Sequence, residues 1–111
     1  MIIASRTLTA GRGDDAKPVA INIHAPHCND DKSWECRYTI EWPDKTTDRT
    51  IFGFDSAQAP VLALQMIGFD LYTSDDHAKG ALSWDGQRPG FGFPLHPEYR
   101  DWLMGDDAKH L

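Results

Sequence analysis

Two cysteines are all that 111 residues contain, too few for the disulfide framework of a small secreted domain. Cys28 and Cys36 are therefore expected to be reduced thiols, as in the cytoplasm. No run of about 18 apolar residues occurs, and the opening MIIASRTLTA has no basic leader before its short apolar stretch, so neither a membrane span nor a secretory signal is expected. Basic side chains are scarce too. Eleven lysines and arginines against seventeen aspartates and glutamates leave a net charge of -6, a field that repels phosphate backbones and anionic lipid heads and speaks against nucleic acid or a membrane as partner. Internal repeats, low-complexity tracts and linkers are also missing. What is present is 41% hydrophobic and 11% aromatic residues, well above the composition of disordered chains, so residues 1–111 are expected to form one domain around one core.

The apolar residues recur with two different periods. Residues 2–9, IIASRTLT, carry a mixed alternation suited to an edge or near-edge strand. AGRGDDAKP supplies turn chemistry, and VAINIHA then sets Val19, Ile21 and Ile23 against Ala20, Asn22 and His24, up to Pro26. The clearest strand is WECRYTIEW, where Trp34, Cys36, Tyr38, Ile40 and Trp42 alternate with Glu35, Arg37, Thr39 and Glu41. PDKTTD turns the chain into a fourth strand, RTIFGF. From 57 to 72 the period changes to that of a helix, with apolar positions 61, 64, 67, 68 and 71 broadened by Leu62, Met66 and Phe69. Asp55 and Ser56 are its candidate N-cap acceptors, and Pro60 restricts the first turn to its vicinity. ALSW suits a short fifth strand, 85–97 is too rich in glycine and proline for regular structure, and Pro97 opens a short helix over PEYRDWLM. Residues 105–111 are expected to fray. The pattern is an α+β fold: an antiparallel β-meander of about four to five strands packed on one central, largely buried helix, with a short C-terminal helix.

HAPHC, residues 24–28, crowds two histidines and a cysteine into five positions. A zinc site needs three or four ligands converging on one point, yet strand alternation puts His24 on the polar face and Pro26 redirects the chain before His27. Cys36, on the apolar face, acts as a small hydrophobe, and Cys28 and Cys36 have no metal-type spacing. No metal site or cofactor is expected. Cys28 beside His24 or His27 lacks an orienting third group for nucleophilic catalysis, and no serine sits in a G-x-S-x-G turn. GFG at 90–92 is not a dinucleotide loop, since position 95 is leucine and no βαβ unit surrounds it. RGD at 12–14 reads as part of a glycine turn.

Several segments in order, RTL at 6–8, IHAP at 23–26, WECRYTI at 34–40, GFDSAQA at 53–59 followed by LAL, then LSW and GFP, resemble a family of small bacterial proteins catalogued only as a domain of unknown function. The resemblance spans roughly residues 2–95 and is most specific at the GFDSAQA helix entry. The chain departs from that pattern at His24, Arg37 and Pro60, where glycine, proline and leucine are common. The resemblance implies strands, one central helix, a short strand and a loop, and it implies no catalytic residues.

Without a catalytic constellation, the expected function is that of a small acidic binding protein, of the immunity type that neutralises a basic toxin. Asp30, Asp31, Asp44, Asp48, Asp75 and Asp76 are the candidate acidic contacts, with Trp84 and Phe91 as apolar anchors, joined by Phe93, Tyr99 or Trp102 where exposed. The alternatives are a small-molecule or metal-dependent enzyme using His24, His27 and Cys28, with His77 or His96, or a structural homo-oligomer such as a dimer. The enzyme requires at least two of those side chains to converge in a concave site.

Overall fold

Alternating apolar and polar side chains build one antiparallel sheet in the computed structural model, which describes residues 1–84 and 90–111. Residues 85–89, the start of the irregular stretch expected over 85–97, lie outside the described residues. The strands are β1 (Ile2–Ala10), β2 (Lys17–His24), β3 (His27–Cys28), β4 (Trp34–Glu41), β5 (Thr46–Gly53) and β6 (Leu82–Ser83). β4 pairs along its whole length with β5 on one side and with β2 and then β3 on the other; β1 follows β2, and β6 pairs only with Thr9 and Ala10 of β1. The meander expected from the short loops is thus present, with β6 returning to its far side.

β3 was not expected as a strand. From Ile23, opposite Tyr38, to His27, opposite Glu35, the chain advances four residues while β4 advances three. The extra residue, at Ala25–Pro26, is a bulge that lets one bent strand pair with β4 on either side of the proline. β5 starts at Thr46, three residues before the expected RTIFGF, because Trp42 N–H donates to Lys45 C=O at 2.8 Å and closes a tighter turn.

One sheet face carries the core. Leu8, Val19, Ile21, Cys36, Tyr38 and Ile40 have no exposed surface, and each large aliphatic side chain so buried stabilises the fold by about 1.5–3 kcal/mol. Helix α1 (Gln58–Tyr72) lies over β4 and β5. Asp55 caps it as expected, its Oδ1 accepting from the N–H groups of Ala57 at 3.1 Å and Gln58 at 2.7 Å. The buried line is Ala59, Ala63, Ile67 and Leu71, whereas Val61, expected inside, is half exposed. Two alanines in this line let the helix come close to the sheet, so the largest side chains do not mark its inward direction.

After α1 come one turn of helix, α2 (Asp75–Ala78), then β6, and then a strap from Gly90 to Leu103 that places Phe91, Phe93, Leu95 and Leu103 in the core. The helix expected from Pro97 is a 3-10 helix, Pro97–Trp102. Residues 105–111 depart from the expected fraying: α3 (Gly105–His110) forms, and its Asp107 is only 2% exposed. That carboxylate accepts from the Tyr72 hydroxyl at 2.6 Å and the N–H groups of Phe91 at 2.7 Å and Gly92 at 2.8 Å. These bonds anchor the end of the chain. Arg6 Nη1 donates to the carbonyls of Phe91 and Gly92, both at 3.0 Å, so the Phe91–Gly92 peptide is held by Asp107 at its N–H and by Arg6 at its C=O. Its guanidinium lies 4.0 Å from the Trp84 ring centre and 4.8 Å from that of Phe93.

Candidate functional site

β5 is the last strand on its side, and α1 lies across it, so the flank of α1 bearing Leu62, Met66 and Phe69 borders the open margin of the sheet. The strap approaches the same flank. Together Ile51, Leu62, Gln65, Met66, Phe69, His96 and Tyr99 line an apolar hollow of about 400 Å³. Its wall is an aromatic cluster: Tyr99 stacks on Trp102 with ring centres 4.6 Å apart, and Phe69 sits 5.6 Å from Tyr99. The His96 ring is fixed there because its Nδ1 accepts from Glu98 N–H at 3.2 Å.

A second hollow of about 530 Å³ is lined by Asp31, Lys32, Ser33, Phe52, Gly53, Phe54, Gln58 and Leu62. Leu62 borders both. Gly53 is required at this end of β5, because a Cβ there would lie 2.6 Å from Ala59 N. Phe54 N–H donates to Gln58 Oε1 at 2.7 Å while its ring is left 89% exposed. Phe52, Val61 and Trp102 are also substantially exposed. The result is an apolar band following one side of the sheet.

The six candidate aspartates occupy three places. Asp44, Asp75 and Asp76 meet around a polar cleft of about 140 Å³ between the β4–β5 turn and α2, interleaved with Lys45 and Lys79. Asp30 and Asp31 lie at the opposite end of β4, where Asp31 accepts from Ser33 N–H at 3.0 Å and its hydroxyl at 2.6 Å, bonds that hold its carboxyl below the ordinary carboxylate range. Asp48 is on the outer sheet face in a two-pronged pair with Arg37, at 2.9 and 2.7 Å. Those hydrogen bonds lower its pKa, with a smaller contribution from His24.

Of the apolar candidates, Phe91 is corrected: it is 1% exposed, packed against Tyr72 and His77, and has no surface to offer a partner. Phe93 is buried as well. Trp84 is half-buried, and its ring carries Arg6. Tyr99 and Trp102 belong to the apolar band.

The enzyme reading does not gain its converging side chains. His24 and His27 sit on the outer face, His27 opposite Glu35, while Cys28 pairs with Trp34 on the other parity. Burial pushes the Cys36 thiol up, which suppresses its reactivity. His77 packs edge-on against Tyr72 and Phe91, and His96 is occupied as a cap. Among the described residues, no three histidine, cysteine, aspartate or glutamate side chains are grouped as a metal would require.

A second polar cleft, about 210 Å³, adjoins the first and includes Thr47, Arg49, Asp70 and Thr73. Asp70, nearly buried on α1, accepts from Arg49 Nε at 2.9 Å and Nη2 at 3.0 Å and forms a short hydrogen bond with the Tyr38 hydroxyl. Burial, reinforced by this bond, pushes the Tyr38 phenol far above its ordinary range. The cluster joins α1 to β4 and β5.

Leu62, Met66 and Phe69 look like extra core in the sequence. The signal that they do more is the width of the apolar stripe, which covers more of the helix than one sheet can hide.

Among the described residues no helix is long and apolar enough to cross a membrane. No curated protein and no solved structure matches the chain. A family model does match over residues 4–95, from within β1 to Leu95 of the strap, including the helix entry, β5 and α1. The chain belongs to that family, described as a domain of unknown function, DUF6968.

Proposed function

We propose that the protein is a non-catalytic, cytoplasmic binding module that holds a basic protein partner against the band formed by β5, α1 and the strap, in the manner of an immunity protein neutralising a toxin. What carries the reading is the pair of hollows that meet at Leu62, flanked by the exposed Phe54, Val61 and Trp102. Aromatic side chains and methionine set in concave apolar surroundings supply most of the energy at protein interfaces, and full burial of one large side chain is worth about 1.5–3 kcal/mol. The net charge of -6 accelerates encounter with a basic surface, while the dispersed carboxylates act at the rim. A standard contact of about 800 Å² per partner would need both hollows and the aromatic cluster together.

The test uses the purified product of the adjacent open reading frame and a photo-crosslinking residue placed in turn at Leu62, Trp102 and Thr7. Crosslinks at 62 and 102 but not at 7, with binding weakened at least tenfold by Leu62→Arg, are the expected result, as is rescue of growth on co-expression. Equal crosslinking at Thr7, or unchanged binding by Leu62→Arg, would overturn the placement. A folded neighbour that does not bind and is not toxic would overturn the toxin reading.

A further inference from the structure

β5 presents more than apolar side chains to the hollows. It pairs only with β4, and among the described residues the backbone groups of Thr46–Gly53 on its other side have no protein partner. We infer that the partner contributes an extended segment, alternating apolar with lysine or arginine residues, that adds to the sheet as a new strand beside β5. This rests on the apolar band being the binding surface.

Natural edge strands are protected by proline, bulges, inward charges or a covering element. The eight-residue register between β4 and β5 is unbroken, and β5 contains no proline. Its two charged side chains are directed to neighbours: Asp48 to Arg37 and Arg49 to Asp70. The other margin differs, since β1 has a register shift between Ile2 and Ala4 and is partly covered by β6. β5 is therefore the edge left open, at full strand length.

An added strand lies about 4.8 Å from its neighbour, and its same-face side chains repeat at about 6.8 Å. Beside β5 it would run under the α1 flank, where Leu62 divides the two hollows. Its inward side chains then face the apolar lining on either side of Leu62, while the alternate residues point to the outer face. With the pairs Arg37–Asp48 and Arg49–Asp70 each cancelling, the segments around this edge carry Asp31, Asp55, Glu98 and Asp101 against Lys32 and Arg100. On the outer face the register sets Glu35 and Glu41 beside the paired Arg37 and Asp48, so basic residues approaching this edge meet a net excess of carboxylate. Strand addition of this kind takes affinity from main-chain bonds and specificity from pockets for alternate side chains.

The test titrates isotope-labelled protein with four synthetic eight-residue peptides: alternating leucine and lysine, the same composition in a helical order, and the alternating peptide N-methylated at every second residue in one parity and in the other. The expected result is amide shift changes along Thr46–Gly53 together with methyl shifts at Leu62 and Met66. N-methylation in one parity should weaken binding at least tenfold and in the other leave it within about twofold, since a strand bonds its neighbour through alternate residues. Leu62→Arg should weaken the alternating peptide tenfold, with folding checked by circular dichroism. Binding at Leu62 and Met66 without change in the β5 amides, or equal tolerance of both methylation parities, overturns strand addition and leaves the binding surface standing. Absence of shifts at Leu62 and Met66 with every peptide overturns both. Concentration-dependent shifts along β5 without peptide assign the edge to a second copy and also overturn the proposal.

Discussion

Among the described residues, Asp70 and Asp107 are the two carboxylates taken out of water, and they are satisfied in different ways. Asp70 has a full positive charge in direct contact, from Arg49, and stands beside a polar cleft that water can enter. Asp107 has the Tyr72 hydroxyl and two peptide N–H groups, and the guanidinium of Arg6 reaches the carbonyl end of one of those peptides, Phe91–Gly92, and the carbonyl of the next. Burial lowers the Arg6 pKa while the charge of Asp107 partly restores it. Carboxylate and guanidinium thus polarise the Phe91–Gly92 peptide between them, an arrangement in which each hydrogen bond strengthens the next. The direct pair fastens helix to sheet. The separated pair fastens the first strand, the strap and the chain's last helix to one another, so its loss should be felt over a wider part of the molecule.

The comparison is broken most directly by Asp107→Ala, which leaves two buried peptide N–H groups and a tyrosine hydroxyl without an acceptor. Equilibrium denaturation should show a loss of about 4 kcal/mol, with amide exchange rising in both the strap and α3. Next is Arg6→Met, which strips the donor from two carbonyls and should cost about 2–3 kcal/mol. Arg49→Met should cost less, about 1–2 kcal/mol, because Arg49 is half exposed and water in the neighbouring cleft can replace part of what it gives Asp70. If Arg49→Met proves more damaging than Arg6→Met, the contrast between the two carboxylates is reversed.

The smallest effect is one of pH. Burial holds the His77 imidazole below its ordinary pKa of 6.5, so on acidification the unfolded chain takes up this proton before the folded one does. His77 therefore contributes stability above the unfolded pKa that declines as the pH falls through it and levels off below the folded value. Denaturation midpoints across this range should drop for the parent and flatten for His77→Gln. The carboxylates Asp31 and Asp48, whose pKa values are lowered from 3.8, shift in a separate, more acidic window, where stability also falls with pH.

The sheet was legible because Trp34, Cys36, Tyr38 and Ile40 alternate without interruption, and the helix because its period is distinct. The phase of the helix was less so: Ala59 and Ala63 point inward because they are small, and an apolar scale gives small residues little weight. The stretch beyond Gly105 reads as a tail from its aspartates and lysine, yet Asp107 is buried by partners some 15 and 35 residues away, which no local pattern encodes. Phe91 and Leu62 exchange roles for the same reason. Whether an apolar residue faces inward or outward on the strap and on the helix flank depends on where the chain returns after β6, and that path is set by Arg6, Asp107 and Tyr72 acting at long range. Of the paired aspartates, which read as loop residues, Asp30 and Asp31 do lie in a turn, whereas Asp75 and Asp76 open α2 and Asp106 and Asp107 lie in α3.

Gly68 stands in the middle of α1, where a Cβ would come within 2.0 Å of the Pro94 carbonyl oxygen. The missing side chain is a notch through which the strap passes hard against the helix backbone. Helix and strap are thereby laid like two courses of brick, with α1 pinned from above as well as from below. Unwinding of its centre must wait until Pro94 and Leu95 lift away, so the chain's C-terminal third holds the key to opening the rest.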